Sequence, residues 1–312
     1  MQRAYATALY EILKKDRNVI SCLSDSGTDY DELIAREFPD QVVNFGISEN
    51  NQLSAAAGMA AAGKIPFVYT TGAFIVYRSY EFLRDDVCLQ NRNVKLIGMG
   101  TGLAWSTLGA THHTTEDLAL LRALPNLTVF TPATPRELTG AVQAAYETRG
   151  PVYIRMGMSG EEELFDETYT FTPGKILPVR EGKDLTVFTA GSILSEVMQA
   201  TRLLELEGIS ARVVNVHTVK PLDSEGILRE CKRPGLFFSV EEHNVLGGIG
   251  TAIADVCGSA GLPLRLTKIG LRDSFAEGFG TKKDVLRQNC LDAEHIFLRI
   301  SEVVKNGLSV QI

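Results

Sequence analysis

Along this chain, short runs that are apolar on both faces alternate with stretches of helical periodicity. NVISCLS (18–24), QVVNFGIS (41–48), IPFVYTT (65–71), NVKLIGMG (93–100), LTVFTPA (127–133) and PVYIRMG (151–157) read as strands. Apolar runs without strict alternation are what parallel strands covered by helices look like. Helical patterns fall between them, near 3–15, 49–63, 77–91, 115–124 and 134–148. This βαβα order predicts a doubly wound sheet. A second series follows: LTVFTAG (185–191), ARVVNVH (211–217), LFFSVEE (236–242) and LRLTKIG (264–270), again separated by helices. Between the two lies an acidic stretch with Pro and Gly and no periodicity, which reads as a connector, part of it as a hairpin. The fold expected is α/β, with two doubly wound, mainly parallel-sheet domains over 1–160 and 183–312 and a connector over 161–182. No internal repeat is present.

Composition narrows the class. With 312 residues, 45% hydrophobic and 22% charged, the chain has an ordinary globular balance, which excludes a disordered or fibrous protein. A formal charge of −7, with no basic run, argues against nucleic acid or an anionic membrane as partner. Five scattered cysteines without C-x-x-C spacing suit reduced thiols in a cytoplasmic protein rather than a zinc site. The start, MQRAYATALYEILKK, reads as an amphipathic helix rather than a signal peptide. Lys64 and Pro66 cut the apolar stretch from Leu53 to Tyr77 into a helix and a strand, so no membrane span is expected.

Several familiar signatures are missing. Gly98-x-Gly100-x-Gly102 follows a strand, but no helix opens directly behind it. Gly247-Gly248-x-Gly250 precedes a helix and reads as a tight strand-to-helix turn or, alternatively, as a phosphate loop. His112-His113 is a poor metal pair because neighbouring side chains diverge, so no metal site is expected within this chain.

Three features carry chemistry. Gly46-Ile47-Ser48-Glu49 places a carboxylate between a buried strand and an alanine-rich helix; taken alone, it reads first as a first-turn acid complementing the helix dipole. Phe74-x-x-Tyr77-x-x-Tyr80 has helical spacing that sets rings along one edge, a stacking surface or simply core. Gly109-Ala110-Thr111-His112-His113 is a loop delivering two histidines to a helix capped by Thr114 or Thr115.

Together these resemble the pyrimidine-binding half of transketolase: strand–G-I-x-E–alanine helix, then F-x-x-Y-x-x-Y, then T-H-H-x-x-E-D-L-A-L-L-R-A-L-P-N. VHTVKPLD (216–223) and EEHNVLGGIG (241–250) resemble that family's C-terminal domain. The resemblance spans nearly the whole chain. The Gly-Asp-Gly…Asn pattern, with which the family holds magnesium and diphosphate, is absent. The chain is therefore similar to the C-terminal subunit of a split transketolase.

That resemblance implies a cytoplasmic transferase using thiamine diphosphate and Mg2+, moving a two-carbon ketol unit between sugar phosphates. A companion N-terminal subunit would hold the diphosphate and the metal. A dimer of heterodimers is implied, with a homodimer conceivable for the isolated chain. Glu49 would hydrogen-bond the pyrimidine and help activate the cofactor, in apolar surroundings that keep it partly protonated. Phe74, Tyr77 and Tyr80 would clasp the pyrimidine, and Asp25 would lie near the cofactor. His112 would hydrogen-bond the donor sugar and help proton transfer, and Arg155 would clamp a sugar phosphate or serve as a strand-end structural arginine. Leu108 and Gly100 stand where many members have an acid and a histidine, which allows a less usual donor such as a branched ketose phosphate of the apulose type. The alternatives are the beta chain of a 2-oxoacid dehydrogenase, an activity like 1-deoxyxylulose-5-phosphate synthase, and a non-catalytic subunit that has kept the fold.

Overall fold

Parallel strands can be joined only by long crossovers, so each apolar run in the first half is followed by a helix or a long loop. The computed structural model describes residues 1–25, 29–158 and 161–306. Ser26–Thr28 of the S-D-S-G-T-D turn and the last six residues of the expected second domain lie outside them. α1 (Gln2–Leu13), β1 (Val19–Leu23), α2 (Asp29–Glu37), β2 (Val42–Asn44), α3 (Glu49–Ala61) and β3 (Ile65–Thr71) come first. Next are two π-helical segments, Phe74–Arg78 and Leu83–Leu89, flanking the single α turn α4 (Tyr80–Phe82). β4 (Lys95–Met99), α5 (Asp117–Arg122), β5 (Thr128–Phe130), α6 (Pro135–Glu147) and β6 (Val152–Met156) complete the series.

Two compact units result. One comprises Met1–Thr101 with Leu120–Pro173, the other Gly102–Ala119 with the chain from Gly174 onward. In the first, the strands lie in the order β5-β6-β4-β3-β1-β2 and pair in parallel. β1, β4 and β6 are buried at every position, which accounts for their unalternating apolar runs. The predicted strand over 41–48 is only three residues long. Asn44 Oδ1 accepts from the Gly46 N–H at 2.8 Å, and Gly46 turns the chain with φ +62°. The predicted plain helix over 77–91 is instead π-helical along most of its length.

The second unit contains β7 (Leu177–Arg180), β8 (Leu185–Ala190), α7 (Leu194–Leu206), β9 (Ala211–Asn215), β10 (Thr218–Lys220) and α8 (Ser224–Cys231). It continues with β11 (Leu236–Asn244), α9 (Ile249–Ser259), β12 (Leu266–Leu271), α10 (Lys282–Gln288) and α11 (Ala293–Asn306). Its sheet runs β12-β11-β8-β9-β7, with β7 the antiparallel member. β7 falls in the stretch read as connector. It pairs with β9 and not with its neighbour β8, so it forms a sheet edge rather than a hairpin. Among the described residues no helix is long and apolar enough to cross a membrane, and no group of three or more His, Cys, Asp or Glu is placed to hold a metal ion.

Lys95, on the central strand β4, is fully buried. Its Nζ donates to Asn93 Oδ1 at 2.7 Å and to the carbonyls of Thr148 and Gly150 at 2.6 and 2.9 Å. Burial pushes its ammonium down to about 7, while these three oxygens answer all three donors of the charged form. The contacts tie β4 to the turn between α6 and β6. Lys95→Met should strand those acceptors and cost about 2–4 kcal/mol of stability, read as a lower calorimetric melting temperature with far-UV circular dichroism unchanged at 20 °C.

Candidate active site

In a parallel sheet all carboxyl ends share one edge, and ligands of open α/β sheets gather there. Four residues singled out in the sequence follow strands at that edge of the first unit: Asp25 after β1, Glu49 after β2, Phe74 after β3 and Gly100 after β4. Asp25 is exposed, whereas Gly100 is buried with φ +68°. Arg155 lies on β6, paired in register with Gly98 of β4, and is 4% exposed.

Glu49 is the first residue of α3 and only 3% exposed. A carboxylate buried that deeply needs a donor, and Arg78 supplies it, with Nη1 at 2.7 Å from Glu49 Oε2. The surroundings are therefore not simply apolar as expected, because a guanidinium stands against the carboxylate. The same guanidinium lies over the Phe74 ring, 4.3 Å from its centroid. A π turn hydrogen-bonds residue i to i+5 and brings Arg78 back over Phe74. Two more polar pairs join α3 to this segment. Ser79 Oγ donates to Asn50 Oδ1 at 2.7 Å, and Ser54 Oγ donates to Asp86 Oδ2 at 2.6 Å. Tyr77 is half-buried, and the Tyr80 hydroxyl donates to the Leu120 carbonyl at 3.1 Å.

His112 and Leu108 fold with the second unit. Their loop is closed by reciprocal bonds, from Gly102 N to Thr114 O at 3.0 Å and from Thr114 N to Gly102 O at 2.9 Å. His112 is half-buried, with Nδ1 2.9 Å from Thr111 Oγ1 and the Trp105 ring edge-on at 6.3 Å. Leu108 is 48% exposed. His113 is buried, and burial pushes its pKa down against the opposing pull of Glu242 and the Trp105 backbone.

Two glutamates of β11 anchor backbone: Glu242 that of this loop, and Glu241 that of the α9 N-terminus. Glu242 Oε1 accepts from the Leu103 N–H at 2.6 Å; Oε2 accepts from Ser192 Oγ at 3.0 Å and lies 3.3 Å from Lys282 Nζ. A Cβ on Gly102 would stand 2.6 Å from Glu242 Cδ, so this position takes glycine for its space as well as for its φ of +66°. Glu241 accepts from the N–H groups of Ile249 (2.7 Å) and Gly250 (3.2 Å) at the start of α9, and burial pushes its carboxyl above the usual range. That carboxylate takes the helix N-terminus, so Gly247-Gly248-x-Gly250 is a strand-to-helix turn and not a phosphate loop. His243 Nδ1 meets the Asn244 carbonyl at 2.6 Å, which fixes the proton there and leaves Nε2 to accept from Ala119 N at 3.4 Å. His217 is buried and pairs with Thr218 Oγ1 at 3.0 Å, and burial pushes it down to about 4.

Comparison with known proteins bears on the chain as a whole. Residues 1–159 match the family model "Transketolase, pyrimidine binding domain", and residues 174–296 match "Transketolase, C-terminal domain". An apulose-4-phosphate transketolase subunit of Actinobacillus succinogenes is 34% identical over 84% of this chain and 84% of its own length. The 6-deoxy-6-sulfo-D-fructose transketolase subunit SqwH of a Clostridium species is 33% identical over 89% of this chain and 86% of its own. Among solved structures, a split gene transketolase described as an inactive beta4 tetramer superposes with a TM-score of 0.89 at 35% identity, covering 97% of this chain and 98% of that one. The chain thus belongs to the transketolase family and carries its pyrimidine-binding and C-terminal domains, on the pattern of the C-terminal subunit of a split transketolase.

Proposed function

We propose that this chain forms, with an N-terminal companion that holds diphosphate and Mg2+, a thiamine-diphosphate-dependent ketol transferase acting on sugar phosphates. The observation that carries the reading is Glu49, a carboxylate 3% exposed at the first turn of α3 with the Phe74 ring beside the same guanidinium. The donor set suits a planar aminopyrimidine, which needs a carboxyl for a ring nitrogen and an aromatic face for the ring. A planar, hydrogen-bonding cation already uses both features here, so their spacing accommodates such a group.

Bound thiamine diphosphate supplies a nucleophilic carbon and the electron sink for breaking a carbon–carbon bond. Glu49 holds a proton at the pyrimidine ring nitrogen, Phe74, Tyr77 and Tyr80 exclude water around the ring, and Asp25 lines the cofactor's surroundings. His112 is assigned to the donor's hydroxyl proton, while Arg155 and the backbone at Gly100 are assigned to the sugar phosphate. Leu108 offers an apolar side chain where many members have an acid, which favours a donor with fewer hydroxyls to satisfy there. The names of the two subunit relatives, one for apulose-4-phosphate and one for 6-deoxy-6-sulfo-D-fructose, support a donor outside the common pentose phosphates. The inactive beta4 form of the structural relative supports dependence on a companion chain, with a dimer of heterodimers as the working assembly.

Calorimetric titration of thiamine diphosphate with Mg2+ should show binding to the mixture of both chains and none to this chain alone. Tight binding by this chain alone would refute the shared site, and a pair that decarboxylates a 2-oxoacid without moving two-carbon units would refute the transferase reading. In the assembled pair, Glu49→Gln should lower kcat by about a hundredfold or more while the sedimentation profile stays that of wild type. Full activity in this variant would remove Glu49 from cofactor activation.

A further inference from the structure

Arg78 is unassigned in the reading above, yet it touches both groups given to the pyrimidine. Its Nη1 donates to Glu49 Oε2 at 2.7 Å, and its guanidinium lies 4.3 Å from the Phe74 centroid. A guanidinium is flat, delocalised and rich in N–H donors, and it stacks on aromatic faces. An aminopyrimidine is also flat and would use the same carboxylate and the same ring face. The two cannot use both at once.

We propose that Arg78 is an internal stand-in for the pyrimidine, a latch that occupies the ring's place on Phe74 and Glu49 and swings aside when the cofactor enters. The inference rests on the assignment of Glu49 and Phe74 to the pyrimidine. The two partners differ in their freedom to move. Glu49 is 3% exposed and fixed at the first turn of α3, whereas the Arg78 side chain is 47% exposed and has solvent to swing into. Arg78 also ends the π-helical segment, and at Ser79 (φ −108°, ψ 19°) the chain passes into α4. Such a π turn is a local departure that recurs at functional sites. Ser79 itself is buried and bonded to Asn50, so the backbone stays anchored while the arginine side chain moves.

The latch has a physical use. A buried carboxylate with no partner is costly, and Arg78 answers it whenever the pyrimidine does not. The cost appears in affinity, because the site is competent only in the fraction of molecules whose arginine has left it.

The test uses the full chain assembled with its diphosphate-binding companion and Mg2+, titrated calorimetrically with thiamine diphosphate. Arg78→Met removes the cation, and Arg78→Gln keeps a planar donor without charge. If the latch holds Glu49 and Phe74 about nine-tenths of the time, Arg78→Met should bind about tenfold more tightly, mainly through faster association. Arg78→Gln should fall between Arg78→Met and wild type, and Arg78→Met should melt below wild type because the cofactor-free Glu49 is left without a partner. Equal or weaker binding by Arg78→Met, with thiamine diphosphate still binding wild type, would overturn the latch alone and make Arg78 a residue that positions Glu49. Binding to none of the three proteins would overturn the cofactor assignment, and the latch with it.

Discussion

Taking a carboxylate out of water costs several kcal/mol unless donors or a cation meet it. Glu49, Glu241 and Glu242, three of the buried glutamates, show how that requirement is met in two different ways. Glu241 is answered by backbone N–H groups at a helix start, and Glu242 by a backbone N–H, a serine and a lysine. Such partners are fixed by the fold, so these two acids act as rivets. Glu49 is answered by the half-exposed side chain of Arg78. That partner is a side chain with solvent beside it, which sets Glu49 apart from the two rivets.

The frame around Glu49 is correspondingly stiff on the protein side. The Asn50–Ser79 and Ser54–Asp86 pairs hold α3 to the helical segment beyond β3, and Gln52 Nε2 donates to the Cys22 carbonyl at 2.9 Å, tying α3 to β1. Pre-organisation of this kind lets a site place a ring without ordering its own walls at the moment of binding.

Much of this was legible in the residues. Apolar runs such as KLIGM and VYIRM are buried on both faces and pair in parallel, which their lack of alternation foretold. Glu49 showed itself by standing between a strand and an alanine helix. β7 did not, because LPVR is half-exposed, contains a proline and pairs with a strand more than 30 residues away. The α11 stripe of Ile296, Ile300 and Val303 has helical spacing and could have been read. Arg78 was hidden because a cation between two tyrosines looks like surface, and π-helical winding leaves no simple period. The rivet at Glu242 left one trace, two adjacent acids directly after the apolar run of a buried strand. That the loop 102–119 folds with the second unit has no local signal, since the donors and acceptors that hold it are over a hundred residues apart.

The pinned ends of that loop have an evolutionary consequence. Gly102 and Thr114 are bridged, Leu103 is held by Glu242, Ser106 by the Gly280 carbonyl and Ala119 by His243, so residues 107–112 run between fixed posts. Leu108 and His112 both lie inside that span. Its contents can drift, lengthen or be exchanged between lineages without disturbing the sheets, provided the posts are kept. A fold arranged in this way confines change to one short segment, so that its residues can be replaced while the strands on either side keep their register.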